Sequence, residues 1–236
     1  RRVLFRSLVV QRSEDQQALP DKGPKSMRGI RLPFSNQVFR MKDLAALKRL
    51  EGIDATAHTL LLWEFSKNGF RTIMGVDARQ PALGALKARD WVQKGRFPEK
   101  PGEIALEKHF AKFRKTQLGD VFQISGHPFT VVGTIGIKEG AQVTAANIYM
   151  SLDDAQNLLG KNPDAVNLIY LRLKNPSMVN RVKSELSTEI KGASISSSDS
   201  FLELMGGVSM ISERFSLIAS MVGLLGAALL IIKTML

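Results

Sequence analysis

The chain has 236 residues, 44% of them hydrophobic and 23% charged, with a net charge of +11 and no cysteine. A chain of this size buries a core without cross-links, and the missing thiols exclude disulfides, cysteine nucleophiles and thiolate metal sites. The basic residues are scattered, and two Trp and two Tyr leave little for base stacking, which argues against nucleic acid as a partner.

In chain order, Arg1–Ser7 resembles the translation of a sequencing adapter; without its three Arg the net charge of +11 becomes +8. Gln11–Ser26 is polar and holds Pro20, Gly23 and Pro24, so residues 8–26 read as a linker. Met27–Phe34 offers a short strand ending near Pro33. Ser35–Gly52 reads as a helix, with Leu44, Leu47 and Leu50 at helical spacing and Gly52 at its end. Ile53–Phe65 and Phe70–Asp77 read as strands joined across Asn68-Gly69, a turn signal because both residues tolerate positive φ.

Beyond Asp77 the texture changes. Ala78–Gly102 is rich in Gly and Pro and lacks long periodicity. A short strand from Glu103 then leads into a helix with Leu106, Phe110 and Phe113 expected on one side. Val121–Gly136 reads as a hairpin about Ser125-Gly126-His127-Pro128, and a loop separates it from a strand at Asn147–Met150. Ser151 caps a helix with Asp153 and Asp154 in its first turn and Gly160 at its end. Ala165–Leu173 is a strand. Asn175 and Pro176 open a helix whose stripe is Val179, Val182, Leu186 and Ile190, with Gly192 just past its end. Ala193–Ser196 is a last strand, and Ser200–Glu203 matches a capping box.

This order, β-α-β-β, a β-rich module, then β-α-β, predicts an α+β fold. Residues 27–76 and 166–200 build one domain from both ends of the chain, and residues 77–165 form a smaller inserted β-rich domain. A stalk over 201–214 follows, then a membrane helix over 215–236.

The membrane reading comes from the 18 uncharged residues Phe215–Ile232. As a helix they extend roughly 27 Å, close to a hydrocarbon core of about 30 Å. They are apolar all round, where a helix on a soluble core keeps a polar face. Gly223, Gly226 and Ala227 supply the small residues that membrane helices use for close packing. Lys233 reads as a lysine snorkelling towards the interface.

No catalytic, cofactor or metal site is expected. His58, His109 and His127 are far apart, and none has a second ligand at metal spacing. Gly133–Lys138 lacks the Walker A spacing, and no nucleophile elbow occurs. Asp153 and Asp154 are explained by the helix dipole.

Gly95, Pro98, Pro101, Gly102-Glu103, Gly119-Asp120 and Phe129–Gly133, followed by Asn147–Gly160, resemble in order and spacing the extracytoplasmic core of MacB/FtsX-type ABC transporter permeases. Gly75–Asp77 is similar to that family's junction, and the terminal Leu229–Leu236 to the start of its second membrane span, although Lys233 departs from the pattern. The resemblance implies a porter-like α+β domain with a β-rich insertion, on the periplasmic side of a bacterial inner membrane. It implies a permease homodimer or heterodimer in membrane lipid, an ABC ATPase as a separate subunit or fused domain, and a periplasmic partner protein. Function would be mechanotransmission: ATP-driven motion coupled to export or release of lipoprotein, peptide or drug, with no enzymatic step in this chain. Lys138, Glu139, Gly140, Ala141 and Gln142, in the loop of the inserted module, are the candidate contact with a partner or substrate. The alternatives are a singly anchored binding or scaffold module, and a soluble hydrolase.

Overall fold

The computed structural model describes residues 7–12, 27–33, 37–40, 44, 47, 50–66, 69–137, 146–160, 163–190 and 192–197. Within them the strands are β1 (Ser7–Arg12), β2 (Ile30–Arg31), β3 (Phe39–Arg40), β4 (Ile53–Ser66), β5 (Gly69–Val76), β6 (Val92–Gly95), β7 (Glu103–Glu107), β8 (Val121–Ile124), β9 (His127–Ile135), β10 (Ile148–Ser151), β11 (Ala165–Val166), β12 (Leu168–Leu173) and β13 (Ala193–Ser197). The α-helices are α1 (Lys108–Phe113), α2 (Leu152–Leu158) and α3 (Val179–Glu189), and 3-10 turns cover Gly84–Trp91 and Pro176–Met178.

Among the described residues, 11 strands form one sheet in the order β13-β1-β12-β4-β5-β10-β7-β9-β6, with β2 against β4 and β8 against β9. The fold is α+β. The sheet runs through the point where the sequence texture changes, because β10 of the middle segment pairs in parallel with β5, Ile148 opposite Ile73.

Three local readings are corrected. Ser7 and residues 8–12, read as an adapter remnant and the start of a linker, form β1 between β12 and β13. Leu8, Val9 and Val10 are all buried there, a run too short to stand out in sequence. Phe39–Arg40, placed in a helix, pairs with Ala165–Val166 instead; Leu44 and Leu47 are buried as their spacing implies. Leu106 lies in β7, and Phe113 is 79% exposed, so the expected apolar side of the helix does not form. The capping box at 200–203 and the apolar helix at 215–236 lie outside the described residues. Among the described residues, no helix is long and apolar enough to cross a membrane.

Strand alternation gives the sheet two covered faces. Leu8, Leu62, Ile73, Ile104, Met150 and Leu171 join one core with Ala155 and Leu158 of α2 and Val182 and Leu186 of α3. The opposite face carries Leu61, Met74, Tyr149 and Tyr170, all buried. The Gly84–Trp91 turn lies over it: a Cβ on Gly84 would sit 2.1 Å from the Tyr170 ring, and its φ of +59° also favours glycine. Burial pushes the phenols of Tyr149 and Tyr170 far up from their ordinary value.

On the first face α2 approaches β5 closely, since a Cβ on Gly75 would stand 2.3 Å from the Ala155 Cβ. Gly75→Val is therefore expected to push α2 off the sheet and destabilise the fold by about 1–3 kcal/mol. Urea unfolding monitored by circular dichroism checks this; an unchanged midpoint would contradict the close approach.

Candidate functional site

Register places charge inside the β4–β5 hairpin. Ser66 pairs with Gly69, so Glu64 falls opposite Arg71 on the face that carries Leu62 and Ile73. The two side chains form an ion pair, Arg71 Nη2 to Glu64 Oε2 at 2.6 Å, with exposures of 5% and 2%. Both reach the β8–β9 turn. Ser125 donates its N–H to Glu64 Oε1 at 2.8 Å, and Arg71 Nη1 donates to the Gln123 carbonyl at 3.3 Å. Arg71 also lies 5.1 Å from the Phe122 ring centroid, a cation–π distance. The Ser125 hydroxyl donates to the Arg28 carbonyl at 2.6 Å. Burial lowers the Arg71 pKa, with Arg114 adding to the fall and Glu64 opposing it.

The turn itself is set by sequence: Ser125 and Gly126 have φ of +51° and +84°, the pattern of a two-residue type I′ hairpin. A cleft of about 800 Å³ opens at this junction, lined by Arg28, Glu64, Phe65, Arg71 and Ser125 among others.

The other face of the same hairpin is aromatic. Phe65 and Phe70 pair across the strands, 51% and 50% exposed, with ring centroids 5.2 Å apart. Trp63 lies 5.6 Å from Phe70 and 6.3 Å from Phe65, edge-on to both.

The middle segment is tied together by further polar contacts. Ser151 caps α2 as expected, accepting from the Asp154 N–H at 3.0 Å. Asp154 does more than complement the helix dipole: it is 8% exposed and accepts the Gly102 N–H at 3.0 Å. Arg96 clamps Glu103, and Glu103 Oε2 also accepts the N–H groups of Glu99 and Lys100 at 3.1 and 3.0 Å. The Arg96 hydrogen bond, helped by these amides, holds the Glu103 carboxyl down at about 2 against an ordinary 4.5. A depressed carboxyl stabilises the fold fully above the unfolded value and loses that stabilisation as pH falls through the folded one. Acid titration should therefore show a loss of stability between about pH 4.5 and about pH 2 that Glu103→Gln lacks. Identical acid profiles for the two proteins would contradict the clamp.

Two of the three histidines are held by neighbouring side chains. The His58 N–H donates to Gln80 Oε1 at 2.7 Å, and its ring Nε2 lies 2.7 Å from Gln80 Nε2. His109 Nδ1 lies 2.9 Å from Glu107 Oε1, and His127 is exposed at the start of β9. Among the described residues, no group of three His, Cys, Asp or Glu could hold a metal ion. The expected contact residues Lys138, Glu139, Gly140, Ala141 and Gln142, and the helix residues Gly223, Gly226 and Ala227, lie outside the described residues.

Residues 6–189 match the family described as the MacB-like periplasmic core domain. The fold is similar to that of the periplasmic region of MacB from Actinobacillus actinomycetemcomitans, at 12% identity and a TM-score of 0.54, covering 85% of this chain and 92% of that one. It is also similar to the extracellular domain of the noncanonic ABC-type transporter YknZ from Gram-positive bacteria, at 14% identity and a TM-score of 0.50, covering 80% and 99%. No curated protein sequence matches the chain.

Proposed function

The chain belongs to the MacB-like periplasmic core domain family, and on that premise we propose that it is the external part of an ABC transporter permease. It works there as a mechanical element. One geometric observation carries this reading: β1 and β13 pair with each other, Leu8 opposite Ser197, at one border of the sheet. The first and last described strands thus sit side by side, and the segments flanking them start from the same end of the same border. A displacement of those flanking segments acts on the sheet as a whole.

In this reading β1, residues 27–76 and residues 166–200 form the porter-like part and residues 77–165 the inserted part. The segment from 215 crosses the bacterial inner membrane and leaves the sheet on the periplasmic side. ATP is hydrolysed on a separate or fused ATPase. Two permease chains assemble, and the motion drives export or release of substrate without chemistry in this chain. Family membership and the paired border strands support it.

These 236 residues hold no cysteine, and any elsewhere in the full-length protein is first replaced by Ser. Lys183 is exposed on α3, so Lys183→Cys places a single thiol on the domain surface. With the full-length protein in intact bacterial spheroplasts, a membrane-impermeant maleimide should label that thiol. Labelling only after lysis would place the domain in the cytoplasm and overturn the proposal.

A further inference from the structure

We infer that the aromatic tip of the β4–β5 hairpin is a docking surface for an acidic, apolar-anchored segment of a partner protein. The inference extends the reading of the chain as an external permease domain, because it uses the side of the membrane on which the tip stands.

Three observations on the described residues converge. The first is apolar exposure. Phe65 and Phe70 are half exposed and stack with Trp63 on the sheet face opposite the buried ion pair. Aromatic side chains of this kind, rigid and clustered, are the residues that anchor protein interfaces.

The second is charge. Arg31 pairs with Trp63 across β2 and β4 and so shares that face, where it is exposed. The nearest acid of the hairpin, Glu64, is buried against Arg71 on the other face and offers no exposed counter-charge. An acidic partner meets a complementary rim, and a basic one is repelled.

The third is position. Ser197 pairs with Leu8, Leu8 with Leu171, and Leu171 with Thr56, which puts the end of β13 in the same row as Thr56. Phe65 lies farther along β4 by roughly 30 Å, at about 3.3 Å per residue. The tip is therefore at the end of the sheet opposite the one from which the chain continues past Ser197. That distance favours a soluble partner over the lipid surface.

Trp63 reports on its own site. With Trp91→Phe, and any tryptophan outside these 236 residues also replaced by Phe, Trp63 is the one tryptophan left in the full-length protein. The probes are an acidic amphipathic peptide helix with Leu at i, i+3, i+4 and i+7, the same peptide with Lys replacing Glu, and vesicles of anionic phospholipid. The expected result is a saturable blue shift of Trp63 emission with the acidic peptide alone. Phe65→Ser/Phe70→Ser and, separately, Arg31→Glu should each weaken that binding about tenfold or more. All three positions are exposed, so the variants should fold, and an unchanged circular dichroism spectrum checks this. No shift with either peptide, equal shifts with both, or a shift with vesicles alone would each overturn the inference. None of these outcomes bears on maleimide labelling at position 183, so the two proposals fail separately.

Discussion

Arg71→Ala should destabilise the domain by about 3–5 kcal/mol, measured as the fall in unfolding free energy in urea. The substitution leaves the Glu64 carboxylate 2% exposed with its cation gone. It also strips the Gln123 carbonyl of a donor and the Phe122 ring of its cation. Replacing both partners together, Glu64→Leu with Arg71→Met, should cost much less, because two matched apolar side chains remove the desolvation penalty along with the attraction. Arg71 Nε is buried without a hydrogen-bond partner among the described residues, which marks the pair as imperfectly compensated. The informative quantity is the coupling in the cycle formed by Glu64→Leu, Arg71→Met and the double variant. A single-variant loss as small as the double-variant loss would show that the pair is not the junction's anchor.

Asn167→Leu is expected to cost about 2–4 kcal/mol in the same measurement. The reason is a gap in the sheet. On one side of β4, β12 covers Ile53–Thr59 and β2 covers Trp63–Glu64, leaving Leu61 between them. Asn167 fills the gap with its side chain, its Oδ1 accepting the Leu61 N–H and its Nδ2 donating to the Leu61 carbonyl, both at 2.7 Å. The amide replaces the missing stretch of strand. Asn167 is 5% exposed, so leucine fits by size but leaves two buried backbone groups unpaired. Asn167→Asp should cost at least as much, because it keeps the acceptor but sets an uncompensated buried carboxylate against the Leu61 carbonyl. A leucine variant as stable as the parent would mean that water reaches Leu61.

How much of this was legible beforehand depends on range. The long hairpin, the Ser151 and Asn175 caps and the α3 stripe are local patterns, and the structure follows them. A two-residue turn at Asn68-Gly69 would set Glu64 opposite Ile73; the structure pairs Ser66 with Gly69 instead, and that register is what brings Glu64 opposite Arg71. What sequence cannot supply is their burial, because it depends on the β8–β9 turn arriving from about 60 positions later, Ser125 against Glu64. The Asn167 clasp, spanning 106 positions, is hidden for the same reason. β1 was missed because three apolar residues beside charged ones give no periodic signal, and its place comes from two partners at the far end of the chain. The contact loop proposed from sequence is not among the described residues, and the exposed aromatic tip was read there only as strand. Alternation alone would have put Phe65 and Glu64 on opposite faces, but the natural guess buries the phenylalanine and exposes the acid. The structure does the reverse.

The most direct measurement of a mechanical role is the distance between two external domains during the ATP cycle. With the full-length protein and the ATPase that the proposed function assigns to it in lipid nanodiscs, a spin label on Lys183→Cys of each chain reports that distance by pulsed electron resonance. A distance distribution that shifts between the nucleotide-free and the vanadate-trapped states is the expected result. Identical distributions in a complex that still hydrolyses ATP would contradict transmission of motion to this domain.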